Sequence, residues 1–153
     1  SIALEAPQSE VNAWDISTDA LRIARDNATS LHAAVDFRQQ DALHAPMEDR
    51  EKWDLIISNP PYVMEKERRE MADNVLRHEP SLALFVPNDD PLRFYRAIAR
   101  YGKHALQPGG TLLFEINPLL AEDMVRLLEE ESYQHVQLIA DAFGKSRFTK
   151  ATI

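Results

Sequence analysis

The apolar run Trp53-Asp54-Leu55-Ile56-Ile57-Ser58 stops abruptly at Asn59-Pro60-Pro61-Tyr62, and this junction constrains the fold more than any other feature. A near-continuous apolar run of this length reads as a strand covered on both faces, as in a parallel sheet. Two consecutive prolines have no N–H to give to a ladder, so the strand must end there. Parallel strands need helical crossovers, and the remaining chain alternates short apolar blocks with helix-like stretches. Val11–Ile16 reads as a strand, after which Ser17 caps a helix with Asp19 in its first turn and Leu21, Ala24 and Ala28 on its apolar face. Ala33–Gln39 reads as the next strand. Pro91 opens a helix with Leu92, Tyr95, Ile98, Ala99 and Leu106 on one face, and Pro108-Gly109-Gly110 is expected to stop it. A strand over Thr111–Ile116 follows, then a helix opened by Pro118 with Leu120, Met124, Leu127 and Leu128 inward. The final strands, His135–Ala140 and Phe148–Ile153, are joined by Asp141–Arg147, a loop short enough for an antiparallel hairpin with a bulge. The class is α/β, a mostly parallel sheet with an antiparallel C-terminal strand.

Composition removes several kinds of function. The 153 residues fit one globular domain, and the absence of cysteine excludes a disulfide framework, a thiolate zinc site and a cysteine nucleophile. A net charge of −8 lacks the basic footprint of a protein that grips a phosphate backbone, although a local groove stays open. No run approaches the ~18 apolar residues that span a bilayer, and Ser1-Ile2-Ala3-Leu4-Glu5 lacks the basic start of a signal peptide. The reading is a soluble, intracellular protein in a cytoplasmic setting, with no membrane partner. His32, His44, His78, His104 and His135 are scattered without ligand spacing, so no metal is expected. The stretch from Val63 to Asp90, with the charged run Glu65–Glu70 and the segment His78-Glu79-Pro80, breaks the rhythm. Connections of such length are often functional lids; the plainer alternative is a solvated helix and an ordinary loop.

Open α/β sheets place ligands beyond the carboxyl ends of their strands, which is where Asn59-Pro60-Pro61-Tyr62 falls. The prolines stiffen the turn and leave its carbonyls free to accept hydrogen bonds. Asn59 adds a carboxamide oxygen and Tyr62 a flat aromatic face, a set suited to a planar amide or amine with two N–H hydrogens. The bland alternative is an Asn that satisfies its own turn. Asp15, ending the first strand, is the kind of acid that binds a ribose diol, and equally a helix cap. Asp41, after the second strand, can accept from an exocyclic adenine amine, with the Ala42 N–H completing an edge; it can equally be a turn aspartate.

Together these residues resemble the class I S-adenosylmethionine-dependent methyltransferases that modify a planar nitrogen. Within them the chain is most similar to the PrmC/HemK family, glutamine N5-methyltransferases acting on peptide chain release factors. The resemblance spans nearly the whole chain: Asn59-Pro60-Pro61-Tyr62-Val63, His78-Glu79-Pro80 with Ala83-Leu84, Leu106-Gln107-Pro108-Gly109-Gly110, Phe114-Glu115-Ile116 and Asp141–Arg147. It implies a Rossmann-like methyltransferase sheet, S-adenosylmethionine as cofactor and the glutamine of a release factor's Gly-Gly-Gln loop as substrate. It also implies roles. Asn59 and the Pro60 carbonyl accept the two amide N–H groups, Tyr62 packs on the amide plane, Pro61 and Glu79 line the substrate channel, and Asn59 also borders the cofactor. Asp15 goes to the ribose, and Asp41 with Ala42 to the adenine edge. The family also carries a glycine-rich loop after its first strand and, ahead of it, a helical domain. Here Gly102, Gly109, Gly110 and Gly144 all lie downstream, and Ser1–Ala6 resembles the helix after that loop. Residues 1–153 are therefore expected to be the C-terminal part of a larger enzyme's catalytic domain, missing the first strand of its sheet.

Two other functions fit less of the sequence. An adenine-N6 methyltransferase acting on DNA or RNA would present the same two N–H groups to Asn59 and Pro60, but the net charge disfavours direct nucleic-acid binding. A non-catalytic binding module would keep the fold without the cofactor loop.

Overall fold

The computed structural model describes residues 1–64, 85–87 and 89–153, which form two compact units, Ser1–Ala45 and Pro46–Ile153. In the first, a short helix α1 (Ile2–Glu5) precedes β1 (Asn12–Asp15), α2 (Thr18–Ser30), β2 (Asp36–Gln39) and a 3-10 turn at Ala42–His44. β1 and β2 are parallel, with Asn12 opposite Asp36 and Asp15 opposite Gln39. The Ser17 hydroxyl caps α2, accepting from the Ala20 N–H at 3.2 Å, and the helix buries Leu21. Its C-terminus closes without glycine. His32 takes a left-handed φ of 54°, its N–H reaching the Thr29 carbonyl while the Ala33 N–H reaches that of Ala28. That closure delays the next strand: Ala33, expected to begin β2, is used to finish the helix, and pairing begins at Asp36.

The second unit contains β3 (Trp53–Ser58), β4 (Val63–Met64), β5 (Phe85–Val86), α3 (Arg93–Ala105), β6 (Leu106–Glu115), a 3-10 turn (Pro118–Leu120), α4 (Ala121–Glu130), β7 (Gln134–Ala140) and β8 (Ser146–Thr152). Its main sheet runs β3-β6-β8-β7, and β4 and β5 form a separate parallel pair. β3 and β6 are parallel, whereas β8 is antiparallel to both β6 and β7, as the expected C-terminal hairpin requires. The start of β3 is tied down by a polar relay: the Trp53 indole donates to the Tyr101 hydroxyl at 2.6 Å, which donates to Asp49 at 2.6 Å.

Two expectations are corrected here. Pro108-Gly109-Gly110 does not stop a helix; α3 ends at Ala105 and these residues belong to β6. Gly109, at φ 78°, absorbs a register shift between the Trp53–Leu106 and Leu55–Thr111 pairs, so Leu106 is buried at a strand start rather than on a helix face. β3, expected to be covered on both faces, leaves Leu55 47% and Ile57 49% exposed; the two side chains alternate onto the same face of the strand.

α3 packs on β6 and α4 on β7 and β8, and the residues Tyr95, Ile98, Ala99, Met124, Leu127 and Leu128 that the two helices bring are all buried. Gly102 of α3 sits where the Tyr133 phenolic oxygen crosses, leaving no room for a Cβ. Two phenols are sealed in this core. Tyr95 donates to the Glu115 carbonyl at 3.0 Å and Tyr133 to the Ala99 carbonyl at 2.8 Å. Burial pushes both well above the ordinary tyrosine value, chiefly by desolvation. Because their folded values are raised, their contribution is complete below pH ~10, where tyrosines of the unfolded chain ionise, and is lost as pH climbs past it. The urea midpoint, followed by tryptophan fluorescence, is therefore expected to hold to about pH 10 and fall steeply above it. A midpoint that stays flat well into alkali would contradict this.

Candidate active site

The turn Asn59-Pro60-Pro61-Tyr62 leaves the carboxyl end of β3, and both of its ends are held. Ser58 pairs with Phe114 before it, and Val63 pairs with Phe85 after it. Pro60 is buried, Pro61 and Tyr62 are half-buried and Asn59 is exposed. Among the described residues the Asn59 carboxamide takes no hydrogen-bond partner, so the Asn that satisfies its own turn is not realised. A rigid backbone thus presents a carboxamide to solvent beside two residues that offer no N–H.

Tyr62 is fixed at both ends. Its carbonyl accepts from the Asn117 side-chain nitrogen at 3.3 Å, and its hydroxyl donates to Glu115 Oε1 at 3.1 Å. Asn117, 5% exposed, caps the following 3-10 turn by accepting from the Leu119 N–H at 3.0 Å. The Tyr62 phenol is raised above its ordinary value, first by burial and then by the Glu115 charge and hydrogen bond, while the neighbouring Arg147 guanidinium acts the other way. It is neutral at physiological pH. Arg147 also faces Asp141 at 3.6 Å, and its carbonyl accepts from the Ile116 N–H at 2.9 Å. Asp141 organises the hairpin loop by accepting from the Phe143 and Lys145 N–H groups at 2.9 and 3.0 Å, and these bonds hold its carboxyl below the usual range. Gly144 supplies the left-handed residue of that loop, at φ 79°.

In the first unit the other expected acids end neighbouring strands. Asp15 is exposed; its Oδ1 accepts from the Ser17 N–H at 2.8 Å, the capping arrangement anticipated as its alternative, and among the described residues Oδ2 takes no partner. Asp41 opens the 3-10 turn that begins at Ala42, accepting from the Leu43 N–H at 2.9 Å and meeting His44 Nδ1 at 2.7 Å. The structure thus joins Asn59, Pro60, Pro61 and Tyr62 in one turn, and places Asp15 and Asp41 at adjacent strand ends within their own unit. Glu79, with His78, Ala83, Leu84 and the middle of the expected lid, lies outside the described residues, while the ends of that stretch form β4 and β5. Sequence reasoning gave no role to Glu115, Asn117 or Arg147. The available signal was Glu115 itself, a carboxylate closing an otherwise apolar strand that pairs with the one leading into Asn59.

Among the described residues no helix is long and apolar enough to cross a membrane, and no three His, Asp or Glu side chains cluster as a metal would need. Residues 1–82 match the methyltransferase small domain. The chain is 51% identical over 151 residues to a release factor glutamine methyltransferase of Bacteroides thetaiotaomicron, an alignment covering 99% of this chain and 54% of that protein. It is 39% identical to a protein of the same name from Flavobacterium psychrophilum, over 98% of this chain and 52% of the relative. The chain therefore spans about half the length of the curated relatives it matches. A solved methyltransferase structure from Pyrococcus furiosus superposes with a TM-score of 0.67 at 17% identity, covering 99% of this chain and 67% of that one. The fold is the Rossmann-like class I methyltransferase fold, and the chain belongs to the methyltransferase small-domain family.

Proposed function

We propose that this chain is part of the catalytic domain of a larger enzyme that transfers a methyl group from S-adenosylmethionine to the glutamine side-chain nitrogen in a release factor's Gly-Gly-Gln loop. The observation that carries this reading is the exposed Asn59 carboxamide at a strand end, without a hydrogen-bond partner among the described residues, next to a buried proline and a half-buried tyrosine. The names of the B. thetaiotaomicron and F. psychrophilum relatives support the substrate, and a role in translation termination supports a cytoplasmic setting.

An amide nitrogen is a poor nucleophile because its lone pair is delocalised into the carbonyl. Catalysis therefore requires acceptors that orient the N–H groups and stabilise the positive charge developing on nitrogen. Asn59 Oδ1 and the Pro60 carbonyl fill that role, and the Tyr62 ring packs on the amide plane, with Pro61 completing the wall. The strand-end acids fit the cofactor's nucleoside. Asp15 keeps one carboxylate oxygen without a partner among the described residues, suited to a ribose diol. Asp41, which accepts from the Leu43 N–H and meets His44, suits with the Ala42 N–H an adenine edge. When bound, the cofactor supplies an electrophilic sulfonium methyl. Glu79 is assigned to the substrate channel.

The test is mass spectrometry of a Gly-Gly-Gln peptide and an adenine-containing oligonucleotide, each incubated with S-adenosylmethionine and the full-length protein. A one-methyl mass gain on the glutamine alone is expected. Methylated adenine with an unmodified peptide would transfer the reading to nucleic acid, and no methylation of either would favour a binding module.

A further inference from the structure

The Asn-Pro-Pro-Tyr turn is stiff through Pro61, but the Tyr62 side chain beyond it has its own two torsions, and nothing within the turn fixes them. The groups that do so come from far along the chain. Glu115, the last residue of β6, receives the phenolic proton at 3.1 Å. Glu115 is itself placed by the Tyr95 hydroxyl, which bonds its carbonyl at 3.0 Å, and Tyr95 is wedged edge-on against Phe114 with ring centroids 5.2 Å apart. The phenol is therefore held by an anion that accepts from it and is itself anchored to the core.

We propose that Glu115 is a positioning residue which, by accepting from the Tyr62 hydroxyl, sets the tilt of the ring against which the target amide lies. This rests on the methyltransferase reading of the turn. Charge-assisted bonds suit the task because they are stronger and more directional than neutral ones. A ring free to tilt would let the amide lone pair swing off line, and small misplacements of a reacting group carry large rate penalties. The effect belongs in kcat, since Glu115 is not required to touch cofactor or substrate.

The experiment uses the full-length protein with Glu115→Ala, Glu115→Gln and Tyr62→Phe, and the double variant Tyr62→Phe/Glu115→Ala. Glu115→Ala is expected to lower kcat about tenfold, the scale of one hydrogen bond to a charged group, with KM for S-adenosylmethionine unchanged. Glu115→Gln, which still accepts from the phenol, should recover most of that loss. The double variant should be no slower than the slower single one, because both remove the same bond. Losses that multiply, or a KM change without a kcat change, would overturn the assignment. A second readout needs no turnover: in 13C-tyrosine-labelled, cofactor-free protein, Glu115→Ala should shift the Tyr62 ring resonances, and an unmoved spectrum would refute the grip. The two failures are separable. Loss of the methyltransferase reading appears as absent methylation or an Asn59→Ala variant of undiminished rate, whereas loss of this inference appears as an active enzyme indifferent to Glu115.

Discussion

Asn59→Ala is expected to lower the methylation rate of the full-length protein on a Gly-Gly-Gln peptide by on the order of 10²–10³, the usual result of deleting one preorganised hydrogen-bonding group. The fold should not suffer. Asn59 is exposed and unpartnered among the described residues, Pro60 and Pro61 keep the backbone torsions, and the strands on either side of the turn retain their pairs. Melting temperature should therefore match that of the parent, and the whole effect should appear in kcat. Asn59→Asp is the sharper companion: the carboxylate still accepts a hydrogen bond, but its charge attracts the cationic cofactor into an unproductive association. It is expected to bind cofactor at least as well while turning over far more slowly. A kcat for Asn59→Ala within a few-fold of the parent would remove the carboxamide from the chemistry.

Phe114→Ala should have the largest effect on stability, about 3–5 kcal/mol, as for other buried Phe truncations. Phe114 is fully buried and lies opposite Ser58 on one side and Thr149 on the other, with Tyr95 edge-on against its ring. Rigid strands on both flanks leave little freedom to collapse into the vacated space, which places the cost toward the upper end. Against a typical total of about 5–15 kcal/mol this is a large fraction, so urea unfolding should shift to a much lower midpoint at unchanged slope. Activity should fall as well, since the partner of Ser58 and the neighbour of Glu115 are the same residue. A shift corresponding to about 1 kcal/mol or less would mean that the site repacks.

Much of this architecture was legible because local chemistry and tertiary context agree. β3 was read to its ends, since an apolar run followed by two prolines permits few alternatives. Ser17 was read as a cap, and the inward faces of α3 and α4 followed from helical spacing. The boundaries that differ from the sequence pattern share a cause: glycine and proline punctuate the sequence where backbone pairing decides otherwise. Pro108-Gly109-Gly110 was absorbed into a strand, whereas α2 and α4 end on His32 and Ser132, which adopt left-handed torsions of 54° and 61° without being glycine. The turn residues were legible because consecutive prolines after a strand carry a mechanism. Their supports were not. Glu115, Asn117 and Arg147 lie more than fifty residues from Tyr62, and only the order of strands brings them to it.

The half-exposed Leu55 and Ile57 matter to anyone handling this polypeptide. β3 is an edge strand of its sheet, without proline or lysine inside it, and its apolar side chains meet water on one face. Such a strand is a template for recruiting another strand, and proteins blunt the hazard with charges or by covering the edge. Concentrating this chain by itself should drive self-association through β3, and a lysine at position 55 or 57 acts as a gatekeeper without disturbing Asn59-Pro60-Pro61-Tyr62. The sheet that presents the turn so rigidly is therefore also where its solubility is decided.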